Sequence, residues 1–373
     1  MRRIVHTLFL LAAVGFYLAP TGEQAAAAEV SPQWQQEWEK VLEAAKKEGR
    51  LLLATNQDFQ MVFAEFQKRY PEIQVVSLPG NSSAQLPRII TERRAEKYLA
   101  DVAIFGPGGM YNVLHKAKAL DPIKPALILP EVLDKSKWWK GEHHYRDDEE
   151  QYIFAFNLVP RHTWAYNTKL VNPSEIKSYW DLLNPKWKGK ILLQDPTLQN
   201  PLGILRFHYY HPELGPEFIR KLLTEMDVTA SRDLRQIGDW LATGKFAISG
   251  LTEVSRTRLD VAKKQGLPVD WFSAQQFKEG VSLGTQNGSV ALLNRAPHPN
   301  AARVAINWLL SREGQMIFQK VLGDVDSLRI DIPKDGIASY ARRVEGPKYH
   351  LPDERIDNAP ILKFVNEVWK RSK

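Results

Sequence analysis

Apolar residues recur at helical spacing near the start of the chain, and a short apolar run follows each such stretch. In residues 33–49 the apolar side chains stand three or four positions apart, and two lysines and a glycine close the pattern, which predicts an amphipathic helix. The apolar run 51–54 is typical of a buried strand. The same reasoning predicts a helix over 59–70 and a strand over 73–78.

The alternation then continues for a third round. Residues 83–98 carry helical spacing, residues 101–105 form an apolar run, and another helix is predicted over 111–119. Strands that alternate with helices are typical of a parallel sheet with helices on its faces. The first part of the chain is therefore predicted to form an α/β domain.

Polar or glycine-rich residues follow each of these three predicted strands. They are the pair Thr55-Asn56, the segment 80–83 and the segment 106–109. The carboxyl ends of parallel strands lie at one edge of the sheet, where open α/β sheets bind ligands. We therefore expect the three segments to converge on one site.

A second series of helices and strands starts after about residue 165. Strands are predicted over 191–193 and 246–249. The predicted helices cover residues 202–210, 216–225, 235–243, 254–265, 301–309 and 313–321, and the end of the chain is amphipathic over 361–369. This second alternation predicts a second α/β domain with its own sheet.

The first residues have the features of a secretory signal. Arg2 and Arg3 precede a mainly apolar run from Val5 to Leu18, which is shorter than the ~20 apolar residues of a membrane span, and small residues follow at Ala25–Ala28. We expect residues 1–28 to be a signal peptide and the mature protein to be exported to the periplasm. A retained anchor is the alternative.

Composition excludes several classes of protein. The chain has no cysteine, which excludes thiol catalysis and cysteine-ligated metals, and its formal charge of +7 is only mildly basic. No nucleic-acid motif is present, so we expect no nucleic-acid partner. The histidines and carboxylates do not fall into a known catalytic or zinc spacing, and we expect no enzyme, no cofactor and no metal site. His143 and His144 beside the acidic run Asp147–Glu150 are interpreted as a solvated loop rather than a metal cluster.

Three stretches resemble those of a known family. They are WAYNTKLV at 164–171, DLLNPKWKGKILLQDPT at 181–197 and GSVALLNRAPHPNAARVAINWLLSREGQ at 288–315. With the order of helices and strands around them, they resemble an extracellular solute-binding protein of an ABC importer, of the type that binds ferric ion or small anions. The resemblance covers roughly residues 35–335.

The resemblance implies a periplasmic-binding-protein-like type II fold, in which two α/β domains close like a hinge on a ligand between them. By this analogy the chain crosses between domains near 155–167 and again near 280–292. Domain 1 then comprises residues 29–155 and 285–335, domain 2 residues 156–284, and a C-terminal extension residues 336–373. The implied partners are a small solute and an ABC permease at the inner membrane, and the implied state is a monomer.

The candidate ligand-binding residues lie at predicted strand ends of both domains. They are Thr55, Asn56, Asn81, Ser82, Ser83, Gly108, Asp195, Thr197, Thr252 and Glu253. Two interpretations of the start of helix 83–98 stay open. Either Ser82 or Ser83 caps the helix, which stabilises it by ~1 kcal/mol, or the free N–H groups there bind an anionic or polar ligand. Two interpretations also stay open for Gly108, which either lets a ligand approach closely or serves a sharp turn. Asp195 either caps the next helix or lies beside Thr197, which would then face the ligand.

The segment GLTEVS at 250–255 bears on the ligand. Ferric binders of this family place adjacent tyrosines here, whose phenolates suit a hard cation, but Val254 and Ser255 occupy those positions. The pair Tyr209-Tyr210 lies on another predicted helix and is interpreted as core or surface. We therefore predict a solute-binding component that captures a small polar or anionic solute. The alternatives are a ferric-ion-binding protein, an exported enzyme on the same fold, or a partner of a sensor.

Overall fold

The computed structural model describes residues 32–252, 256–351, 353 and 355–371. The predicted signal peptide, residues 1–28, and the candidate Glu253 lie outside the described residues. In the first part of the chain, helices alternate with strands as predicted. The elements are α1 (Pro32–Glu48), β1 (Arg50–Thr55), α2 (Phe59–Arg69), β2 (Gln74–Ser77), α3 (Ser82–Arg94), β3 (Val102–Phe105), α4 (Pro107–Gly109), β4 (Leu120–Asp121), α5 (Pro130–Leu133), β5 (His144–Tyr145) and β6 (Ile153–Ala155).

The middle of the chain forms a second series. Its elements are β7 (Val159–Pro160), β8 (Ala165–Asn167), β9 (Ile191–Gln194), α6 (Gln199–Tyr210), α7 (Gly215–Glu225), β10 (Thr229–Ser231), α8 (Leu234–Ala242), β11 (Ile248–Gly250), α9 (Arg256–Lys264) and β12 (Val269–Trp271). The last elements are β13 (Val281–Gly284), β14 (Ser289–Leu293), α10 (Pro299–Leu310), α11 (Arg312–Leu322), β15 (Tyr349–His350) and α12 (Ala359–Arg371).

Two predicted helices differ in extent from the observed ones. The helix predicted over 83–98 ends at Arg94, because Glu96 has a left-handed backbone (φ 55°) that an α-helix cannot include. The helix predicted over 111–119 is a short π-helical segment, Met110–His115, that continues directly from α4.

The first sheet has the order β2-β1-β3-β14-β6-β5, with β4 paired to β14. β1 pairs with β2 and β3 in parallel, whereas β14 is antiparallel to both β3 and β6. The sheet is thus mixed rather than wholly parallel as predicted, because the late strand β14 returns to its centre in the opposite direction. Its core joins residues of the first 158 positions to residues from Leu283 to Leu328.

The second sheet has the order β10-β9-β11-β8-β12. Strands β9, β10 and β11 are parallel to one another, and β8 is antiparallel to β11 and β12. A separate hydrophobic core supports this sheet, with residues from Trp164 to Phe277. We refer to the bodies built on the first and second sheets as domain 1 and domain 2.

A small third sheet lies where the chain passes between the domains. Its order is β15-β13-β7, with β13 antiparallel to β7 and parallel to β15. β7 leads from domain 1 into domain 2, and β13 leads back to β14 in domain 1. β7 and β13 lie within the residue ranges predicted for the two crossings, and the C-terminal extension adds a strand beside β13. The exact domain limits stay a prediction.

The C-terminal extension returns to domain 2. Ile361, Val365 and Val368 of α12 are buried in the core of domain 2. Before α12, the guanidinium of Arg206 on α6 donates to the side chain of Asn358 at 2.8 and 3.0 Å. Within the described part of the chain, no helix has the length and apolar character that a bilayer-spanning segment requires.

Candidate ligand-binding cleft

The ends of β1 and β2 and the start of α3 enclose a cleft of about 650 Å³ in domain 1. It is lined by Thr55, Asn56, Gln57, Asp58, Gln60 and residues 77–83. Asp58 is the single charged residue among these lining residues. Two of the three predicted strand ends thus converge as expected, on a mainly polar surface that also includes Leu78, Pro79 and the carboxylate of Asp58.

The start of α3 is capped by a residue other than the two predicted serines. The capping residue is Asn81, whose Oδ1 accepts a hydrogen bond from the N–H of Ala84 at 3.2 Å. The predicted caps Ser82 and Ser83 are therefore wrong, because Asn81 already occupies the N-cap position. The N–H groups of Ser82 and Ser83 donate to no group among the described residues, and both residues line the cleft.

Thr55 and Asn56 differ in what they offer a ligand. The buried Thr55 hydroxyl donates to the carbonyl oxygen of Ile104 at 3.2 Å, which ties the end of β1 to β3. The buried Oδ1 atom of Asn56 has no hydrogen-bond partner in the described structure. Because a buried polar atom without a partner is costly, Asn56 is the better candidate for ligand contact.

Gly108 is not brought to the cleft lining among the described residues. Its carbonyl oxygen accepts a hydrogen bond from the Asn112 side chain at 2.9 Å. The neighbouring Gly109 packs so closely on α3 that a Cβ there would stand 2.9 Å from Leu86 Cδ1. Gly109 therefore serves the close packing of a sharp strand-to-helix connection.

In domain 2, Asp195 and Thr197 follow the end of β9. Asp195 Oδ1 accepts hydrogen bonds from the N–H of Thr197 at 3.0 Å and from its hydroxyl at 2.6 Å. Asp195 Oδ2 pairs with Arg232 Nε at 2.8 Å. Partial burial opposes ionisation of Asp195, but these hydrogen bonds outweigh it and lower its pKa. The expectation that Asp195 caps the next helix is wrong, because its carboxylate closes its own turn.

Thr252 lies just beyond β11 and is fully buried. Its N–H points to the carbonyl oxygen of Thr163 at 3.4 Å. Glu253, Val254 and Ser255, which follow it, lie outside the described residues. Gly250 ends β11 against the face of Trp164, where a Cβ would stand 2.3 Å from the ring. The end of β11 is thus held by close packing directly before the candidate residues.

A second cavity of about 820 Å³ lies between the two domains. Asp58, Asn157 and Gln286 line it from domain 1, and Asp260 and Lys264 of α9 line it from domain 2. Because Asp58 lines both cavities, they adjoin each other. The cleft at the start of α3 therefore continues into the space between the domains.

Asn157 and Gln85 lie at or behind the cavity walls and are not among the predicted site residues. Asn157 is fully buried, and its side chain bonds the N–H of Asp326 at 2.8 Å and the carbonyl of Thr285 at 3.1 Å. Gln85 is buried on the packed face of α3. A polar residue at an apolar helix position is the signal that identifies Gln85, whereas Asn157 depends on contacts distant in the sequence.

Residues 53–316 match the family model of the bacterial extracellular solute-binding proteins. The chain belongs to this family. The match confirms the prediction of a solute-binding component of an ABC importer with a type II, two-domain α/β fold. The family is one of binding proteins and not an enzyme family.

Several solved structures share the fold of this solute-binding protein. The Trichodesmium protein IdiA (FutA), in complex with iron and citrate ligands, is 20% identical with a TM-score of 0.63, over 86% of this chain and 99% of that chain. Iron-bound HitA from Pseudomonas aeruginosa is 19% identical with a TM-score of 0.59, over 86% and 99%. Mannheimia haemolytica ferric iron-binding protein A in an open conformation is 16% identical with a TM-score of 0.67, over 87% and 99%.

The tyrosine pair of this solute-binding protein lies away from the cleft. Tyr209 packs against Phe364 of α12, with ring centroids 5.5 Å apart, and Tyr210 is half exposed at the end of α6. Neither lines the described cavities. The interpretation of this pair as core and surface agrees with the structure.

The histidines next to the acidic run make hydrogen bonds inside the fold. His143 and His144 bond the carbonyl oxygens of Val132 and Trp139 at 2.9 and 3.0 Å, and burial lowers the pKa of both. The nearest group of possible metal ligands is instead His115, Asp147 and Glu149, with ligand atoms within 4.8 Å of one another. Asp147 accepts three backbone N–H groups, and His115 pairs with Glu149 at 3.1 Å. These contacts give the group a structural role.

Proposed function

We propose that this solute-binding protein captures a small polar or anionic organic solute in the cleft and delivers it to the permease of an ABC importer. The observation that carries the proposal is the cleft of about 650 Å³, which offers unpaired neutral polar groups and a single carboxylate. The candidates that face it are Asn56, Asn81, Ser82 and Ser83. Asp195, Thr197, Thr252 and Glu253 are proposed to complete the site from domain 2.

The start of α3 favours an acidic group on the solute. The free N–H groups of Ser82 and Ser83 point out of the first helical turn, and the N-terminus of a helix carries a partial positive charge. The unpaired Oδ1 atom of Asn56 favours a hydrogen-bond donor such as a hydroxyl or ammonium group. A hydroxylated organic acid or a sugar phosphate satisfies both requirements.

Isothermal titration calorimetry with a panel of organic acids, sugar phosphates and inorganic phosphate tests the proposal. The change Ser82→Asp places a negative charge at the start of α3 and is expected to weaken binding of an anion by more than ~1 kcal/mol. The matched control is Thr91→Asp, an exposed position in the second half of the same helix, which should leave affinity unchanged. Equal affinity of Ser82→Asp and the wild type would show that α3 takes no part in binding.

Ferric ion bound together with an organic anion is the second candidate. It is favoured by the similar structures that contain iron, one of them with citrate. The described residues that line the domain-1 cleft include no tyrosine or histidine, so an organic anion would supply most of the ligands of the metal. Tryptophan fluorescence and visible absorbance with ferric ion alone, citrate alone and ferric citrate separate the candidates. A high-affinity signal from ferric ion alone would overturn the organic-solute proposal.

Location and partner are also proposals. We propose export to the periplasm through residues 1–28, action as a monomer, and docking on a permease rather than on a sensor. A mature protein that starts near Glu29 in the periplasmic fraction supports the first point. Neighbouring genes for a permease and an ATPase favour transport, whereas a neighbouring receptor gene without them favours the sensor.

A further inference from the structure

We propose that Gln85 is the positioning residue of the domain-1 half of the cleft. Its side-chain amide holds together two separate backbone segments that line the cleft, the end of β1 and the loop between β2 and α3. The inference rests on the proposed function insofar as those segments contact the solute. Its structural part concerns the shape of the ligand-free cleft and is tested separately.

The contacts of Gln85 converge from three points of the chain. Its Nε2 donates to the carbonyl oxygens of Thr55 at 2.9 Å, Leu78 at 3.1 Å and Gly80 at 2.6 Å. Thr55 ends β1, and Leu78 and Gly80 belong to the loop between β2 and α3. One amide therefore holds the end of a strand and the loop beside it in a fixed relation.

Each of these carbonyl groups belongs to a residue that lines the 650 Å³ cleft, whereas Gln85 itself does not line it. Only 1% of the Gln85 surface is exposed. Its amide thus lies behind the residues that line the cleft. There it bonds those residues and does not contact the solute. This distinguishes Gln85 from Asn56, whose side chain lines the cleft directly.

The loop contacts the Gln85 side chain at Gly80. Gly80 has φ +105°, a conformation that L side chains rarely adopt, and a Cβ on it would stand 3.8 Å from Gln85 Cγ. Asn81 then caps α3, and the free N–H groups of Ser82 and Ser83 follow. The direction of those N–H groups therefore depends on where the Gln85 amide holds Gly80.

The contacts at this position require a side-chain donor with more than one hydrogen, since the Oε1 atom of Gln85 is buried without a partner in the described structure and only Nε2 bonds the loop. Three carbonyl oxygens face one nitrogen, and only a donor with more than one hydrogen bonds several of them at once. A carboxylate would place negative oxygen against carbonyl oxygen, and an apolar side chain would leave buried acceptors without partners. Either change should release the loop from the end of β1.

Hydrogen exchange of the ligand-free protein tests the structural part. Gln85→Met is expected to raise the exchange rates of the hydrogen-bonded amides of Leu78 and Ala84, at the two ends of the loop, by about tenfold or more, since it removes the hydrogen bonds that hold the loop. The matched control is Gln315→Met, because Gln315 is also a buried glutamine that donates to a backbone carbonyl, that of Leu309 at 2.7 Å, and lines neither cavity. The control should leave exchange of these two amides unchanged. Unchanged exchange in Gln85→Met would overturn the proposal.

Gln85→Glu provides a pH signature that lost packing alone does not produce. At neutral pH its carboxylate repels the three carbonyl groups, and the loop should exchange rapidly. Burial raises the pKa of such a carboxyl group, so that acidification to about pH 5 restores one donor and should slow the exchange again relative to Gln85→Met. If the two variants behave alike at both pH values, donation from residue 85 does not hold the loop.

The binding part uses citrate, ferric citrate and inorganic phosphate as probes. For any probe that binds the wild type, Gln85→Met should weaken affinity about tenfold or more, while Gln315→Met lowers thermal stability without changing affinity. Unchanged affinity in Gln85→Met would refute the positioning role. If no probe binds the wild type, the proposed solute class fails, and the exchange experiment still decides whether Gln85 shapes the cleft.

Discussion

Single residues at the strand ends divide into those that serve the fold and those left free for a ligand. Thr55 and Asp195 were both predicted to contact ligand, yet their side chains bond Ile104 and Thr197. Thr197 is two residues from Asp195, so its bond was accessible to sequence reasoning. Ile104 stands 49 positions from Thr55, and a sequence contains no signal for such a contact. The contacts of these side chains were therefore only partly predictable, and the site itself stays a prediction.

Gly250 shows how tightly one such strand end is packed. A Cβ at this position would stand 2.3–2.6 Å from three ring atoms of the buried Trp164. Gly250→Ala should therefore lower the free energy of unfolding by ~1–3 kcal/mol through overpacking. Gly238→Ala on α8, with no atom within 4 Å of the new Cβ, should be neutral or stabilising by up to ~1 kcal/mol. Urea unfolding of both variants checks this, and equal effects would contradict the packing argument.

The buried His208 is expected to make the folded protein less stable in acid. Burial lowers its pKa to about 3, whereas an unfolded histidine titrates near ~6.5. The unfolded chain then binds a proton that the folded chain does not, so this contribution is complete above pH ~6.5 and is lost as the pH falls toward 3. Between pH 7 and pH 5 it amounts to ~2 kcal/mol. In denaturant unfolding at pH 7 and pH 5, the free energy of unfolding of His208→Leu should fall by that much less than the free energy of the wild type. An equal fall in both proteins would refute the contribution of His208.

Helices and strands were predicted with most success where the apolar pattern is local. The helices and strands of the first 105 residues follow their predicted order, because periodicity and stop signals lie within each segment. The central position of β14 in the first sheet was not predictable, since its partners β3 and β6 are far away in sequence. The amphipathic end of the chain was recognised as well. Its pattern did not reveal that α12 packs on domain 2.

The packing of α12 makes the last helix of the chain part of the core of domain 2. Ile361 is fully buried in that core, and Ile361→Ala should lower the free energy of unfolding by ~2–5 kcal/mol. Lys363→Ala, two positions along on the exposed face of the same helix, should stay within ~0.5 kcal/mol of the wild type. Thermal or chemical denaturation of the two variants provides the comparison. A negligible effect of Ile361→Ala would mean that α12 does not belong to the core.

At the scale of the whole molecule, the chain joins the two domains more than twice. β7 and β13 cross between them, and the C-terminal extension adds β15 to the same small sheet before α12 enters domain 2. Arg355, in that last passage, also pairs with Asp148 of domain 1. Closure of the two domains on a solute requires these connecting segments to bend. The two-domain plan was predictable from the repeated αβ alternation and the family resemblance, whereas the third connection was not.

Native mass spectrometry of the protein purified from the periplasm of its own host tests the central claim most directly. We expect a complex with one small polar or anionic organic molecule, which is released on unfolding and is lost or reduced in Ser82→Asp but retained in Thr91→Asp. A protein that carries iron without any organic component would contradict the proposed solute, and a solute retained equally by both variants would contradict the role of α3.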